Sequence, residues 1–262
     1  MDITTVLGLI IGFAGVIVGF LIEGGHVSAL VGLPPFLIVV VGTLGATIVG
    51  IPREEIKKIP QWLRIAFSNK SFGVEKAYFT LVHFSEKARQ EGLLSLEHEL
   101  DTIDDKFTRQ GIQLVIDGTD PEITKSILES NITVLENRHK IGIGFFETAG
   151  GYSPTLGIIG TVMGLVHVLG NLTDPDKLSS SIAVAFIATL YGVCFANLFY
   201  LPIATKLKIK SEKEVQTMEM ILDGILSIQS GENPAILKEK LKTHIGYLPE
   251  KEAEEITTDG DE

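Results

Sequence analysis

Residues 150–170 read GGYSPTLGIIGTVMGLVHVLG, an apolar run that contains no Asp, Glu, Lys or Arg. About 20 residues of this kind are enough for a helix to cross a lipid bilayer. Gly157, Gly160 and Gly164 recur at intervals of three and four residues, which places them on one side of a helix. A stripe of glycine lets the backbone of a second helix approach closely. The run therefore predicts a membrane-spanning helix that packs against other helices.

A second apolar segment, residues 179–205, has the same character. Its small residues recur at intervals of four, three, four and four, at Ser181, Ala185, Ala188, Gly192 and Ala196. This spacing predicts a second helix with a face of small side chains. Across the two helices, we expect the packing residues to be Gly157, Gly160, Gly164, Ala185 and Gly192.

Each of these two helices also carries one proline and one threonine. Pro154 lies near the start of the first helix, and Pro202 marks the far end of the second. Thr161 and Thr189 lie beside the small-residue faces, where a hydroxyl group can form a hydrogen bond within the bilayer. A lone threonine in a membrane helix usually serves packing, but the corresponding placement on two helices is more informative.

The whole chain has the composition of a membrane protein. Its 262 residues are 45% hydrophobic and include 27 glycines, and the mean hydropathy is positive. Four windows lack charged residues and are each long enough for one spanning helix: residues 3–22, 27–52, 148–172 and 178–205. The first window is not a typical signal peptide, because Asp2 replaces the usual basic start and no small-residue cleavage site follows.

The basic residues predict how the chain is oriented. Of the 22 Lys and Arg residues, only Lys177 falls in a loop that this arrangement places outside. The others lie between Arg53 and Lys140 or after Thr205, and short loops rich in Lys and Arg remain in the cytoplasm. We therefore predict a multi-pass protein of the cytoplasmic membrane with both termini in the cytoplasm.

The predicted fold is all-α, an integral membrane protein with four transmembrane helices and a helical cytoplasmic domain between helices 2 and 3. Transmembrane helices 1 and 2 occupy residues 1–52, and the cytoplasmic domain occupies residues 53–147. Transmembrane helices 3 and 4 occupy residues 148–205. Residues 206–262 are predicted to form a cytoplasmic C-terminal helix, a short helix that starts at Pro234 and an acidic disordered tail.

Helical spacing of apolar residues organises the predicted cytoplasmic domain. It predicts a pair of helices at residues 74–91 and 93–110, separated by Gly92. The short apolar run at residues 111–119 is interpreted as helix, and Pro121 opens a further helix.

Several functions are excluded by motifs that the sequence lacks. It contains no GxxxxGK[ST] phosphate loop, no HExxH zinc motif and no GxSxG nucleophile motif. The net charge is −11 and no basic patch suggests binding to nucleic acid. The single cysteine, Cys194, excludes a disulfide framework and a cysteine metal site. We predict a protein that is not an enzyme and has no catalytic residues, metal site or cofactor.

No carboxylate lies in the middle of any predicted spanning helix. The polar groups there are hydroxyls, including Thr43 and Thr47 of helix 2, for which we predict interhelical hydrogen bonds. Proton and sodium pathways normally use ionisable residues that face a cavity. If the chain belongs to an ion-driven machine, the titrating carboxylate must come from another subunit.

The sequence resembles the flagellar motor stator subunits of the MotA/PomA branch of the MotA/TolQ/ExbB family. The stretches that carry the resemblance are YSPTLGIIGTVMGLVHVLG, AFIATLYGVCFANLFYLPIATKLKIKS and ARQEGLLSLEHEL, at the spacing expected of the family. The order of four helices with a large inner domain between the second and third also matches. The resemblance covers nearly the whole chain, less clearly the tail after Gly231.

The resemblance implies an ion path and its residues. Pro154 and Pro202 match the two prolines that flank the ion path and couple ion passage to conformational change. Thr189 matches the threonine that faces the essential aspartate of the partner MotB. Sodium-type members have a threonine at the position of Thr161 and many proton-type members have alanine, yet proton-driven ExbB and TolQ also keep threonines there. Both H+ and Na+ therefore remain possible as the transported ion.

The resemblance also implies partners and a rotary mechanism. Arg89 and Glu97 match the charged pair that engages the rotor protein FliG; without the resemblance, a mixed-charge run of this kind would be interpreted as a solvated surface. Members of the family assemble as five copies of this subunit around two copies of MotB. The alternative is an ExbB/TolQ-like energising subunit of an ion-driven envelope transport complex, but those proteins have three spanning helices. A passive four-helix scaffold would leave the paired prolines without a purpose.

Overall fold

The computed structural model of the chain describes residues 2–69, 73–170 and 175–245. All regular secondary structure in these ranges is helical, as the sequence predicts. Packing divides the chain into two units, residues 1–69 with 139–209 and residues 70–138 with 210–262. Each unit is therefore built from two stretches that are distant in the sequence.

The first unit begins with two apolar helices. Helix α1 spans Ile3–Ile22, and α2 spans Leu33–Val49 with a π-helical turn at Leu37–Val41. Two short helices follow, α3 at Arg53–Ile56 and α4 at Ile59–Ala66.

Two long helical stretches provide the remaining residues of the first unit. Helix α7 spans Pro121–Leu169 without interruption. Helix α8 spans Pro175–Phe195, and a π-helical turn at Ala196–Tyr200 joins it to α9 at Leu201–Gln229. By length and composition, α1, α7 and the continuous stretch from Ser181 to Gln229 can each cross a membrane, whereas α2 is a shorter apolar helix.

Aromatic side chains form the core of the first unit. The Trp62 ring packs against Phe145 with a centroid distance of 5.8 Å, and Phe145 packs edge-on against Phe146 at 5.1 Å. Gly142 makes room for the indole, because a Cβ atom at this position would lie 3.0 Å from the Trp62 ring. These rings are buried in one apolar cluster with side chains of α4, α7 and α9.

The second unit consists of α-helices and one 3₁₀ helix packed around a single apolar core. Its elements are α5 at Val74–Glu91, a 3₁₀ segment at Leu93–Thr102, α6 at Lys106–Ile116 and α10 at Pro234–Ile245, together with parts of α7 and α9. The fully buried side chains of this core come from every one of these elements and include Leu81, Phe84, Leu96, Ile112, Leu128, Met220, Ile225 and Leu237.

The structure corrects the predicted helix at residues 93–110. The segment forms a 3₁₀ helix to Thr102, and the chain is extended at Ile103 before α6 starts. Asp105 causes this restart because its carboxylate accepts a hydrogen bond from the backbone N–H of Thr108 at 2.7 Å and so caps α6. The interpretation of the following apolar run as helix is confirmed as far as Ile116, where α6 ends.

The structure also corrects two predicted helix boundaries. The helix that opens at Pro121 and the third apolar window are one continuous helix, because no Gly-Pro break separates them and Pro154 is accommodated inside α7. Pro202 does not end its helix either, because α9 continues for 27 residues beyond it, to Gln229. The predicted short helix at Pro234 is confirmed as α10, whereas the predicted acidic tail, which ends in EKEAEEITTDGDE, lies outside the described residues.

Candidate functional site: the contact between α7 and α8

Helices α7 and α8 touch backbone to backbone at two glycines. A Cβ atom added to Gly157 would lie 2.9 Å from the carbonyl oxygen of Ala188 and 3.2 Å from the Cα of Gly192. A Cβ atom added to Gly192 would lie 2.7 Å from the carbonyl oxygen of Ser153. No larger side chain fits at either position without moving a helix.

The rest of the predicted glycine stripe lies on the small residues of α8. A Cβ atom at Gly160 would lie 2.5 Å from the Cβ of Ala188, and one at Gly164 would lie 2.5 Å from the Cβ of Ala185. The structure therefore brings together all five residues expected to serve helix packing. It uses the two small-residue faces against each other, within one chain.

The two candidate threonines meet in this contact. The Thr161 and Thr189 hydroxyl groups form a short hydrogen bond between α7 and α8. The Thr161 hydroxyl also lies 3.0 Å from the carbonyl oxygen of Ala185 and 3.2 Å from that of Gly157. Hydroxyl and carbonyl oxygens can coordinate a cation or accept a hydrogen bond from a protonated carboxyl group, but they do not titrate near neutral pH.

A buried serine adds a second hydrogen bond between the same helices. Ser153 is fully buried, and its hydroxyl donates to the carbonyl oxygen of Gly192 at 2.9 Å. This residue was not among the candidates from sequence. Its position four residues before Gly157, on the same helical face and next to Pro154, was the signal that could have identified it.

The predicted interhelical hydrogen bonds of α2 are absent from the described contacts. Thr47 donates to the carbonyl oxygen of Thr43 at 2.8 Å, within its own helix, and the buried Thr43 hydroxyl has no partner in the described parts of the chain. A hydroxyl group of α8, that of Tyr191, does bond to the segment that directly precedes α2. It donates to the carbonyl oxygen of Leu30 at 2.6 Å and accepts from the backbone N–H of Gly32 at 3.3 Å.

Pro202 lies at a cleft between α1 and the start of α9. The cleft has a volume of about 360 Å³, and its polar lining residues are Thr4, Thr5, Asn197 and Lys206. Lys206, one of these lining residues, forms an ion pair with Asp2. The Lys206 ammonium group and the Thr4 hydroxyl, both bound to the Asp2 carboxylate, hold the pKa of Asp2 well below its usual range.

The two candidate rotor-binding residues lie in the second unit. Arg89 is exposed in the last turn of α5, and Glu97 is exposed in the 3₁₀ segment. Neither side chain forms an ion pair within the described residues, so both charges face solvent. Neighbouring Glu99 is paired instead, with Lys87 and with His83.

The described residues offer no cluster of three or more His, Cys, Asp or Glu side chains that could hold a metal ion. The contact between α7 and α8 thus presents uncharged oxygen atoms in an otherwise apolar setting. Oxygen atoms of this kind can coordinate an ion or accept a hydrogen bond from a protonated group.

Comparison with protein families identifies the class to which this arrangement belongs. Residues 99–220 match the MotA/TolQ/ExbB proton channel family, and residues 6–92 match the N-terminal region of motility protein A. The chain belongs to the MotA/TolQ/ExbB proton channel family.

Individual relatives narrow the similarity. The chain is 39% identical to motility protein A of Borreliella burgdorferi, over 94% of each protein. It is 35% identical to motility protein A of Bacillus subtilis, over 100% of this chain and 96% of the relative. Its fold also matches a chain in the structure of the flagellar MotAB stator complex from Bacillus subtilis, with a TM-score of 0.86 and 35% identity, covering 95% of this chain and 97% of that one. Similarity to motility protein A therefore extends over almost the full length.

Proposed function

We propose that this chain is the ion-conducting A subunit of a flagellar stator complex and works with a MotB-type partner. The observation that carries the proposal is the Thr161–Thr189 contact, an uncharged polar site inside two apolar helices. The chain places no Asp, Glu, Lys or Arg in these apolar windows, so a partner must contribute the titrating carboxylate. The similar Bacillus subtilis chain belongs to a MotAB stator complex, which supports a MotB-type subunit as that partner.

The proposed mechanism is rotary. An ion binds the partner's transmembrane aspartate beside Thr189, neutralises it, and then passes to the cytoplasm. Neutralisation removes the cost of holding a bare carboxylate against apolar helices, so the partner's position relative to α7 and α8 changes with each ion. Pro154 and Pro202 lack the N–H group that would complete their helices, and they give α7 and α9 points at which this change can be absorbed.

The proposed assembly is a homo-oligomer of five copies around two copies of the partner, as the resemblance implies. Packing within the chain indicates which helix surfaces would contact the partner and which would contact a neighbouring subunit. Because the glycine stripe of α7 is already covered by α8, the partner would face the flank of this pair rather than the stripe itself. Gly8, Gly15 and Gly19 of α1 have open space where a side chain would stand, which leaves that helix free to approach a neighbouring subunit.

The proposed topology has four spans with both termini in the cytoplasm. Three helical stretches can cross a membrane by length and composition, and the proposal assigns the fourth span to the shorter apolar helix α2. Leu33–Val49 rises about 25 Å along its axis at 1.5 Å per residue, slightly less than a hydrocarbon core of about 30 Å. A span of this length is accommodated by local thinning of the bilayer. The basic residues between Arg53 and Lys140 support a cytoplasmic position for the loop between α2 and α7.

The proposed rotor contact is the exposed pair Arg89 and Glu97, which would engage the rotor protein FliG. Exposed charges of both signs steer association with a charged partner and determine its orientation. Their lack of partners among the described residues supports this role, since the neighbouring Glu99 is already neutralised inside the chain.

Rotation speed tests the proposal and identifies the transported ion, H+ or Na+. The chain and its partner would be expressed in a motile host that lacks its own stators, and external sodium would be varied at fixed pH and membrane potential. Restored rotation is expected. Speed that follows sodium identifies Na+, and Thr161→Ala should then disable rotation. Speed that ignores sodium but is lost with a protonophore identifies H+, and absence of rotation under both drives would refute the proposal.

The alternative, an energising subunit of the ExbB/TolQ type, is less well supported. The match of residues 6–92 to the N-terminal region of motility protein A and the full-length relatives of that name favour the stator. Co-purification with a partner that carries a peptidoglycan-binding domain, rather than a TonB-like one, distinguishes the two.

A further inference from the structure

The 3₁₀ segment Leu93–Thr102 carries both buried and exposed side chains. Residues three apart eclipse each other in a 3₁₀ helix, so Leu96 and Glu99 share one row and Leu94 and Glu97 share another. Leu96 is fully buried, whereas Leu94 is 71% exposed and Glu97 is also exposed. Leu96 therefore attaches the segment to the core, together with the partly buried Leu93 and Leu100, whereas the side chains of Leu94 and Glu97 are available to a partner.

Glu99 belongs to a cluster of three polar side chains with Lys87 and His83. The carboxylate of Glu99 forms a short ion pair with Lys87 of α5, and its second oxygen lies 2.8 Å from the Nε2 of His83. Lys87 is two residues from Arg89, and Glu99 is two residues from Glu97. The cluster thus joins α5 to the 3₁₀ segment, the two elements that carry the exposed charges, within two residues of each charge along the chain.

The segment needs such an attachment. A 3₁₀ helix of ten residues is unusually long, because its hydrogen-bond geometry is poorer than that of an α-helix and most runs stop after three or four residues. At its start, Gly92 adopts a positive φ of 85°, which turns the chain sharply after α5. Burial of Leu96 and the Glu99 cluster both oppose unwinding of the segment.

We propose that the Lys87–Glu99 ion pair is a positioning contact that fixes the spacing of Arg89 and Glu97 for the rotor. Lys87 and Glu99 do not themselves touch the rotor; they act by holding the 3₁₀ segment against α5. The inference rests on the proposed function of Arg89 and Glu97. It adds that the spacing of Arg89 and Glu97 depends on the partly buried ion pair between Lys87 and Glu99.

The test uses the chain with its partner in a motile host that lacks its own stators. Glu99→Gln removes the charge at nearly constant shape, and the exchange Lys87→Glu with Glu99→Lys restores an ion pair with reversed sign. Three quantities are measured: motor torque, co-purification of the partner, and hydrogen exchange of residues 93–102 in the purified complex. Asp104→Asn is the matched control, since Asp104 pairs with Lys76 of the same helix but both side chains are mostly exposed.

We expect Glu99→Gln to lower torque at least about twofold and to lower exchange protection roughly two- to fivefold, the range that a surface ion pair controls. Partner co-purification should not change, Asp104→Asn should keep full torque, and the charge exchange should recover more than half of the lost torque. Full torque in Glu99→Gln, or unchanged exchange protection, would overturn the inference. Torque that the charge exchange fails to recover would also overturn it, because the Glu99 carboxylate would then act directly.

A parallel variant separates this inference from the proposed function. Simultaneous reversal of the exposed charges, Arg89→Glu with Glu97→Lys, tests the rotor surface alone. If this reversal abolishes torque while Glu99→Gln keeps it, only the positioning role is refuted. If the reversal leaves torque unchanged, the rotor surface is wrongly assigned and the positioning role is refuted with it.

Discussion

Gly157 of α7 and Gly192 of α8 face each other so closely that a Cβ atom on Gly192 would lie 3.0 Å from the Cα of Gly157. At this distance the two backbones are in direct contact, which brings the hydroxyls of Thr161 and Thr189 within hydrogen-bond reach. Helix association in a membrane relies on packing of this kind, because lipid tails are as apolar as the side chains they replace. The glycine contact therefore determines the geometry of the candidate ion path.

Gly192→Ala should weaken the contact between α7 and α8. The added methyl would lie 2.7 Å from the Ser153 carbonyl oxygen, so the helices must separate at a cost of roughly 1–3 kcal/mol. We expect a lower melting temperature of the purified complex and slower rotation. Gly144→Ala on α7 is the control, since nothing lies within 4 Å of a Cβ atom there. Equal melting temperatures for the two variants would contradict the importance of close approach.

Thr189→Ala should abolish rotation, whichever ion is transported. The substitution removes the hydroxyl that contacts Thr161 and leaves the backbone carbonyl oxygen of Ala185 as the α8 atom bonded to Thr161. Thr189→Ser keeps the hydroxyl and should retain most of the rotation speed. Co-purification of the partner should be normal in both variants, because a membrane hydrogen bond contributes only about 0.6 kcal/mol on average. Normal rotation of Thr189→Ala would exclude Thr189 from the ion path.

Reversal of the exposed charges should uncouple the motor while the complex still assembles. Arg89→Glu and Glu97→Lys each replace a solvent-exposed charge that has no partner among the described residues, so neither should disturb folding. We expect each reversal to reduce swimming and the two together to abolish it. Lys125→Glu, on an exposed residue of α7 in the same unit, is the control and should keep normal swimming. Unchanged swimming in the double reversal would remove the rotor-binding assignment.

Asp2→Asn should lower the stability of the complex in a manner that depends on pH. The pKa of Asp2 lies below its ordinary value of 3.8, chiefly because Lys206 is bound to the carboxylate. A lowered pKa in the folded state stabilises the fold above about pH 4, and this contribution is lost as the pH falls through the folded-state pKa. Asparagine still caps α1, so the variant isolates the ion pair, whose loss should cost roughly 1–3 kcal/mol at pH 7.

Melting temperatures measured from pH 7 downward check this prediction. The difference between the wild-type chain and Asp2→Asn should be largest above pH 4 and should narrow progressively below it. Lys206→Met provides the reciprocal variant and should show the same pH profile. A difference that is constant from pH 7 to pH 3 would show that the ion pair is not its source.

Much of the packing between α7 and α8 could be predicted from residue spacing. The glycines of α7 and the small residues of α8 repeat with helical period. A Cβ atom added to any glycine of this contact would collide with the facing helix. The facing of Thr161 and Thr189 follows from the same period, because each lies beside its stripe. Spacing predicts which residues share a helical face. The prediction succeeded here because the small-residue faces of α7 and α8 pack against each other within one chain.

The parts that spacing did not predict depend on contacts between distant residues. The 3₁₀ segment carries leucines at intervals that also suit an α-helix, and its conformation is decided by the burial of Leu96 and the Glu99 cluster. Thr43 and Thr47 are one turn apart, which is compatible with interhelical hydrogen bonds, yet Thr47 bonds within its own helix. The residue type determines which hydrogen bonds a hydroxyl group can form, but the arrangement of the neighbouring helices determines which of them it does form.

The π-helical turn at Ala196–Tyr200 has a consequence for every residue that follows it. A π turn contains about one residue more than an α turn, so the helix has one additional residue at this point. Side chains after Tyr200, including Pro202 and Lys206, are therefore rotated by about 100° from the positions that an uninterrupted helix would give them.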